Sequence, residues 1–226
     1  MSAGAVNAAG GADATIRRTV LLGHSVDGRL ITAVETSDPD APTKTLVVGC
    51  IHGSECAGVA IAQRLMSTQP PTETDIWVVP DLNPDGAAVA TRGNAHGVDL
   101  NRNFPRNWRP ISGIYNSGPH PLSERETQIA YRLIEHVRPT VSICFHQHLD
   151  LVDDSTGSRS LERRFARAAG LRLASLAREP GRAVTWETHR FPHANALSSS
   201  CPPARSRHRQ RHALPEPSTS LSPLDR

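Results

Sequence analysis

His52 and Glu55 stand three residues apart in His52-Gly53-Ser54-Glu55. Side chains at i and i+3 of a helix start project to the same side. An imidazole and a carboxylate so placed suit zinc, which takes nitrogen at ~2.0–2.1 Å and oxygen at ~2.0–2.2 Å. A third protein ligand and an open fourth position make such a site catalytic rather than structural. Phe145-His146-Gln147-His148 offers that ligand, as His146 or His148, at the end of a separate apolar run. His-x-x-Glu alone is a weak signal in a chain with eleven histidines. Agreement between two strand ends is what gives it weight.

Between these points lies Thr91-Arg92-Gly93-Asn94-Ala95-His96-Gly97-Val98-Asp99-Leu100-Asn101-Arg102-Asn103-Phe104-Pro105. Arginine presents a planar fork that matches a carboxylate with two hydrogen bonds. Two arginines in one Gly/Asn-rich loop are either solvated surface groups or anion holders beside the metal pocket. Loops as long as Asp81–Leu122 are usually functional in a compact domain.

These residues need a scaffold. Arg17–Glu35 reads as a β-hairpin turning at Ser25-Val26-Asp27-Gly28. Lys44–Ile51 is a buried strand, Glu55–Met66 a helix and Asp75–Pro80 the next strand. Ser123-Glu124-Arg125-Glu126 has the form of a capping box, and the helix it opens stops at Pro139. Thr140–Phe145 is a strand, and Ser160–Ala169 a helix with Leu161, Phe165 and Ala168/Ala169 inward and Gly170 beyond its end. Strands alternating with helices predict an α/β fold: a mainly parallel mixed sheet with helices on both faces. Ligands in such folds bind at the C-terminal strand ends, where His52 and His146 fall.

The 226 residues carry 25 Lys+Arg against 22 Asp+Glu. The length allows a single α/β core. No apolar run reaches the ~20 residues of a membrane span. Aromatics at 4% argue against nucleic-acid stacking. Residues 1–15 lack a basic n-region and an apolar h-region, so they read as a disordered tail, with a cytoplasmic location as the default; a misplaced start would hide an export signal. Cys50, Cys56, Cys144 and Cys201 form no C-x-x-C pair and read as reduced, buried thiols.

The motifs together resemble the zinc carboxypeptidase family, in particular its short bacterial members of the murein peptide amidase type. The likeness rests on His52-Gly53-Ser54-Glu55, Asp81-Leu82-Asn83-Pro84-Asp85-Gly86, Arg92-Gly93-Asn94, Val98–Pro105 and Leu122-Ser123-Glu124, in that order. It implies one zinc ion held by His52, Glu55 and His146. It implies that Arg92 polarises the scissile carbonyl, and that Asn101 and Arg102 bind the substrate's free carboxylate. The expected partner is a peptide or amide with such a carboxylate, handled by a monomer without nucleic acid or membrane. The expected domain spans residues 16–197.

One family feature is missing. The general-base glutamate belongs on a late apolar strand ending like Val-Glu-Leu-Pro, but here Leu197 is followed by Ser198-Ser199-Ser200-Cys201-Pro202-Pro203. Residues 198–226 show no strand or helix period and read as a basic, disordered Ser/Pro/Arg-rich tail, so the last strands are expected to be missing. Glu187 lies upstream of the expected place and is a poor substitute. If Ser198–Cys201 are encoded TCG TCG AGC TGC, reading from the third base gives Val-Glu-Leu, so a frameshift near Leu197 accounts for the loss and for a C-terminal truncation. The tail holds five arginines, Glu216 and Asp225, a net of +3, which is the whole chain's net charge. An intact zinc site without its base implies an impaired hydrolase. Two other readings stay open: an N-acyl amino acid hydrolase of the succinylglutamate desuccinylase or aspartoacylase kind, and a zinc- or peptide-binding pseudoenzyme.

Overall fold

A computed structural model describes residues 16–38, 41–154 and 158–202. The expected tails at 1–15 and beyond 202 lie outside the described residues. Eight strands form one sheet: β1 (Ile16–His24), β2 (Leu30–Ser37), β3 (Thr43–Val48), β4 (Thr74–Val79), β5 (Val141–Gln147), β6 (Leu151–Asp153), β7 (Arg172–Ala174) and β8 (Asn195–Cys201). Their spatial order is β1-β2-β4-β3-β5-β8-β6-β7. The central four, β4-β3-β5-β8, are parallel, and antiparallel pairs flank them.

Alternation along the strands divides the core in two. Leu46, Trp77, Val79, Cys144 and Ala196 face one side, under α3 (Arg125–Val137) and α5 (Ala183–Arg190). Val47, Val78, Phe145 and Cys201 face the other, under α1 (Gly58–Met66). Val152 and Leu197 continue that side under α4 (Arg159–Ala169). Both sheet faces are covered, as a parallel sheet requires. A short helix, α2 (Pro84–Ala88), breaks the long loop, with the Asn83 side chain accepting from the Gly86 amide as its cap.

Several expectations need correction. The strands are not missing at the end: β8 runs on through Ser198, Ser199, Ser200 and Cys201, paired in parallel with β5. Serine has modest strand preference, but the ladder to β5 and burial between two neighbours override it. The domain therefore extends past 197. The first helix begins at Gly58 rather than Glu55. His52–Glu55 is instead a turn, closed by the Glu55 amide donating to the His52 carbonyl at 2.8 Å. Ser123 and Glu126 form no capping box: Ser123 Oγ donates to Glu124, while Glu126 accepts from the Val26 amide and Asn94 Nδ2. Tertiary partners have claimed both side chains. In α4 the buried positions are Glu162 and Ala166, and Ala168 and Ala169 are exposed. Cys50 and Cys56 are joined in a disulfide across the His52–Glu55 turn, with Cα atoms 4.7 Å apart, so two of the four expected thiols are absent. Helix α5 and the short β6 and β7 were not legible from periodicity.

Candidate metal centre

Three chain segments converge at the C-terminal edge of the parallel strands. The turn after β3 carries His52 and Glu55. Gly53 lets that turn lie on α2, since a Cβ there would fall 1.9 Å from the Gly86 carbonyl carbon. The end of β5 carries His146. The loop after α2 carries Arg92 and Asp99, and a single 3-10 turn carries Asn101 and Arg102.

His52 Nδ1, Glu55 Oε2 and His146 Nδ1 form a compact triangle. The sides are 3.0 Å from His52 to Glu55, 3.3 Å from His146 to Glu55, and 3.3 Å between the two histidines. Donors on a tetrahedral zinc with bonds of ~2.0–2.1 Å stand ~3.3–3.4 Å apart. The triangle matches one face of that tetrahedron. Two imidazole nitrogens facing each other at this range need a cation or a shared proton between them. These three residues could hold a metal ion. His148 is exposed and takes no place in the triangle, so the choice between the two histidines falls on His146.

The second nitrogen of His52 is also fixed. His52 Nε2 donates to Asp99 Oδ1 at 2.9 Å, and both residues are buried. That bond orients the ring and turns Nδ1 towards the triangle. Burial pulls the His52 pKa down, but the hydrogen bonds to Asp99 and Glu55 outweigh it and hold the ring above its ordinary value. Burial would raise Glu55 and Asp99. Hydrogen bonds from His146 and His52 to Glu55, and from His52 to Asp99, hold both carboxylates well below the usual range. Burial pushes His146 down to about 4, with the Glu55 bond opposing. Glu55 and His146 are thus deprotonated, while a metal at the triangle would take the place of the proton that His52 shares with Glu55.

Arg92 sits beside it, donating from Nη1 to Glu55 Oε1 at 2.5 Å and from Nε to Asp99 Oδ2 at 2.8 Å. Asn101 Oδ1 accepts from the Ala183 amide at 3.0 Å, which ties this residue to the start of α5. Arg102 is buried; Nη1 donates to the Asn101 carbonyl, while Nε is buried without a partner. Gly181 allows the α5 entry to press on the Arg102 backbone, where a Cβ would lie 2.1 Å from its carbonyl oxygen. All six expected site residues therefore line one cavity of about 480 Å³.

The cavity also shows residues that sequence reasoning missed. Asp99 was visible as a lone acid between Val98 and Leu100, but its partner was not. Asp153 and Arg182 form a buried ion pair at 2.6 Å in the cavity wall. Ser198 and Ser200 line the same wall, and Ser200 stands directly opposite His146 in the β5–β8 register. Glu187 is not part of it. It is buried on α5, accepts from Ser142 Oγ at 2.5 Å, and burial pushes its pKa up to about 7.

The zinc carboxypeptidase family model matches residues 9–152. Murein peptide amidase A of Escherichia coli (strain K12) is 34% identical over 123 residues, covering 48% of this chain and 51% of the relative. The catalytic chain of carboxypeptidase N from Mus musculus is 30% identical over 193 residues, covering 66% of this chain and 42% of that one. The chain thus spans about half the length of the curated relatives it matches. The solved structure of murein-tripeptide amidase MpaA from Escherichia coli O157 superposes with a TM-score of 0.70 at 28% identity, over 84% of this chain and 85% of that one. Carboxypeptidase A from Helicoverpa armigera gives the same TM-score, 0.70, at 18% identity, over 83% of this chain and 60% of that one, a likeness of fold.

Proposed function

Since the chain belongs to the zinc carboxypeptidase family, we propose that it is built to hydrolyse a peptide or amide bond next to a free carboxylate, with a murein-type peptide as the substrate class. The observation that carries this reading is the His52–Glu55–His146 triangle in a cavity that also presents Asn101 and Arg102. A zinc ion held by the triangle supplies a Lewis acid and a water of lowered pKa. Arg102 and Asn101 hold the substrate's carboxylate. Arg92 lies next to the reacting carbonyl and stabilises the oxyanion, a contribution of ~2.7–4 kcal/mol for a single donor in comparable sites. Every residue in this reading comes from one chain, so it needs no second subunit.

The proton-transfer group is the weak part. The carboxylates of the cavity are Glu55, Asp153 and Glu179. Glu55 belongs to the triangle, Asp153 is paired with Arg182, and Glu179 acts on the Arg102 charge. A missing general base costs ~10²–10⁴-fold, so the chain as it stands is an impaired hydrolase. A frame slip near Leu197 accounts for this. One base lost upstream of Ser198 places the hidden Val-Glu-Leu at 199, 200 and 201. Position 200 faces the triangle, while 199 and 201 face the apolar side with Phe145 and Phe165. Ser199 Oγ is buried there with no hydrogen-bond partner, a setting that suits valine rather than serine. Codons of the AGC or TCT kind at Ser199 would remove the hidden glutamate and sink the frameshift.

Metal analysis of the purified chain tests the main reading. Near one zinc per chain is expected, lost in His52→Ala; no zinc, or zinc untouched by that change, refutes it. Hydrolysis of N-acyl amino acids in preference to γ-glutamyl peptides would favour the acylase alternative. No helix among the described residues is long and apolar enough to cross a membrane. The Cys50–Cys56 disulfide favours an oxidising compartment over the cytoplasm.

A further inference from the structure

The turn that carries two of the three triangle residues is also closed by a covalent bond. Cys50, just past the end of β3, is joined to Cys56, just before α1, and His52 and Glu55 both lie inside the ring. Both ends are anchored to the scaffold. The Cys50 carbonyl accepts from the Leu82 amide at 2.8 Å, and the Cys56 carbonyl from the Val59 amide at 3.1 Å. The next amide, that of Ala57, donates to Gln147 Oε1 at 2.9 Å, and Gln147 follows His146 on β5. The two sulfurs stand 3.2 and 3.6 Å from the His52 carbonyl oxygen. The bridge therefore packs on the backbone of one donor, and its flank is tied to the strand of another.

Asp99 and Arg92 hold the His52 and Glu55 side chains from outside the turn. The backbone inside it is held by the bond from the Glu55 amide to the His52 carbonyl and by the bridge. A cross-link limits the conformations open to the loop it closes. Cys50 is fully buried and Cys56 half-buried, so a reductant meets Cys56 first. Cys144 and Cys201 are buried and free, so Cys50–Cys56 is the one bridge that a reductant acts on among the described residues.

We propose that this bridge is a redox latch on the metal centre, with a dithiol as its reductant class. Oxidised, it keeps His52 and Glu55 placed for the ion; reduced, the turn loosens and the ion is held less tightly. A thiolate of the dithiol attacks the Cys56 sulfur, and the Cys50 sulfur leaves and takes a proton. The second sulfur of the dithiol then displaces Cys56, so two electrons pass to the bridge and the dithiol ends as a disulfide. The inference rests on the zinc reading of the triangle. Cys50 and Cys56 touch neither ion nor substrate in it and act as positioning residues.

Zinc affinity is read by competition with a chromogenic chelator, on the oxidised chain and on chain reduced with dithiothreitol and desalted without oxygen. Reduction is expected to weaken zinc binding about tenfold, or ~1.4 kcal/mol. Linkage requires the reverse effect. In glutathione buffers, saturating zinc should make the bridge about tenfold harder to reduce, a shift of ~30 mV for a two-electron couple. That measurement needs no variant. Cys50→Ala combined with Cys56→Ala should show the reduced affinity with or without dithiol treatment. A bridge that only stabilised the fold would lower the thermal midpoint on reduction and leave both zinc readings unchanged, and that result overturns the latch alone. If the oxidised chain binds no zinc, the metal reading falls and the latch with it.

Discussion

On the proposed reading, in which the general base is missing, Ser200→Glu should raise the rate of hydrolysis. Ser200 is 5% exposed, lines the metal cavity and pairs with His146 across the β5–β8 ladder. Paired residues on neighbouring strands lie ~4.8 Å apart and point to the same face. A glutamate at 200 runs alongside His146, and its two extra bonds of ~1.5 Å each carry the carboxylate to the level of the triangle. That places it within one water of the metal position, which is where a general base must stand. Ser198 is a poorer position, two residues back along the strand and opposite Cys144. Ser199 faces the other side of the sheet. The cost is modest. Ser200 Oγ accepts from the Leu149 amide at 2.8 Å, and losing that bond takes ~0.5–1.5 kcal/mol. The expected gain in kcat is ~10²–10⁴-fold, the usual contribution of such a base. The assay is hydrolysis of a γ-glutamyl peptide by the zinc-loaded chain, with Ser198→Glu and Ser199→Glu as position controls. A folded, zinc-bound Ser200→Glu no faster than Ser199→Glu would refute the placement, and a parent chain already as fast would refute the missing base.

Three further outcomes follow from the same geometry. Asp99→Asn weakens the bond that orients His52, so zinc affinity should fall ~10–100-fold by competition with a chelator while the fold survives. Ser199→Val should raise the thermal midpoint by removing an unpartnered buried hydroxyl from apolar surroundings, a gain of ~1–3 kcal/mol. Glu187 has its pKa raised to about 7 by burial. An acid raised on folding contributes most below its unfolded value, and that contribution is lost as pH climbs towards 7. Glu187→Gln should therefore stabilise the chain at pH 8 by up to ~3 kcal/mol, at ~1.36 kcal/mol per unit, and leave denaturant midpoints near pH 4 unchanged.

The hairpin, the alternation of strands and helices, and the three residues that meet in the triangle were legible in the sequence. Apolar period and turn residues are local signals, and they put His52 and Glu55 at a strand end, although as a helix start where the structure has a turn. The His52–Asp99 bond was not, because it joins positions 47 residues apart. Glu187 sits beside Trp186 in sequence, and only its burial against Ser142 removed it from the site. The serine run shows the difference most plainly. By itself Ser198-Ser199-Ser200 has no strand signal, so the sequence ended the domain at Leu197. Only the ladder to β5 makes it a buried strand, because backbone pairing does not depend on side-chain type. The side chains then show what that strand carries: a hydroxyl without a partner on the apolar face, and a serine opposite His146. The sequence determined which chemistry was present. The tertiary structure decided which residues stand beside it, because those contacts join distant parts of the chain.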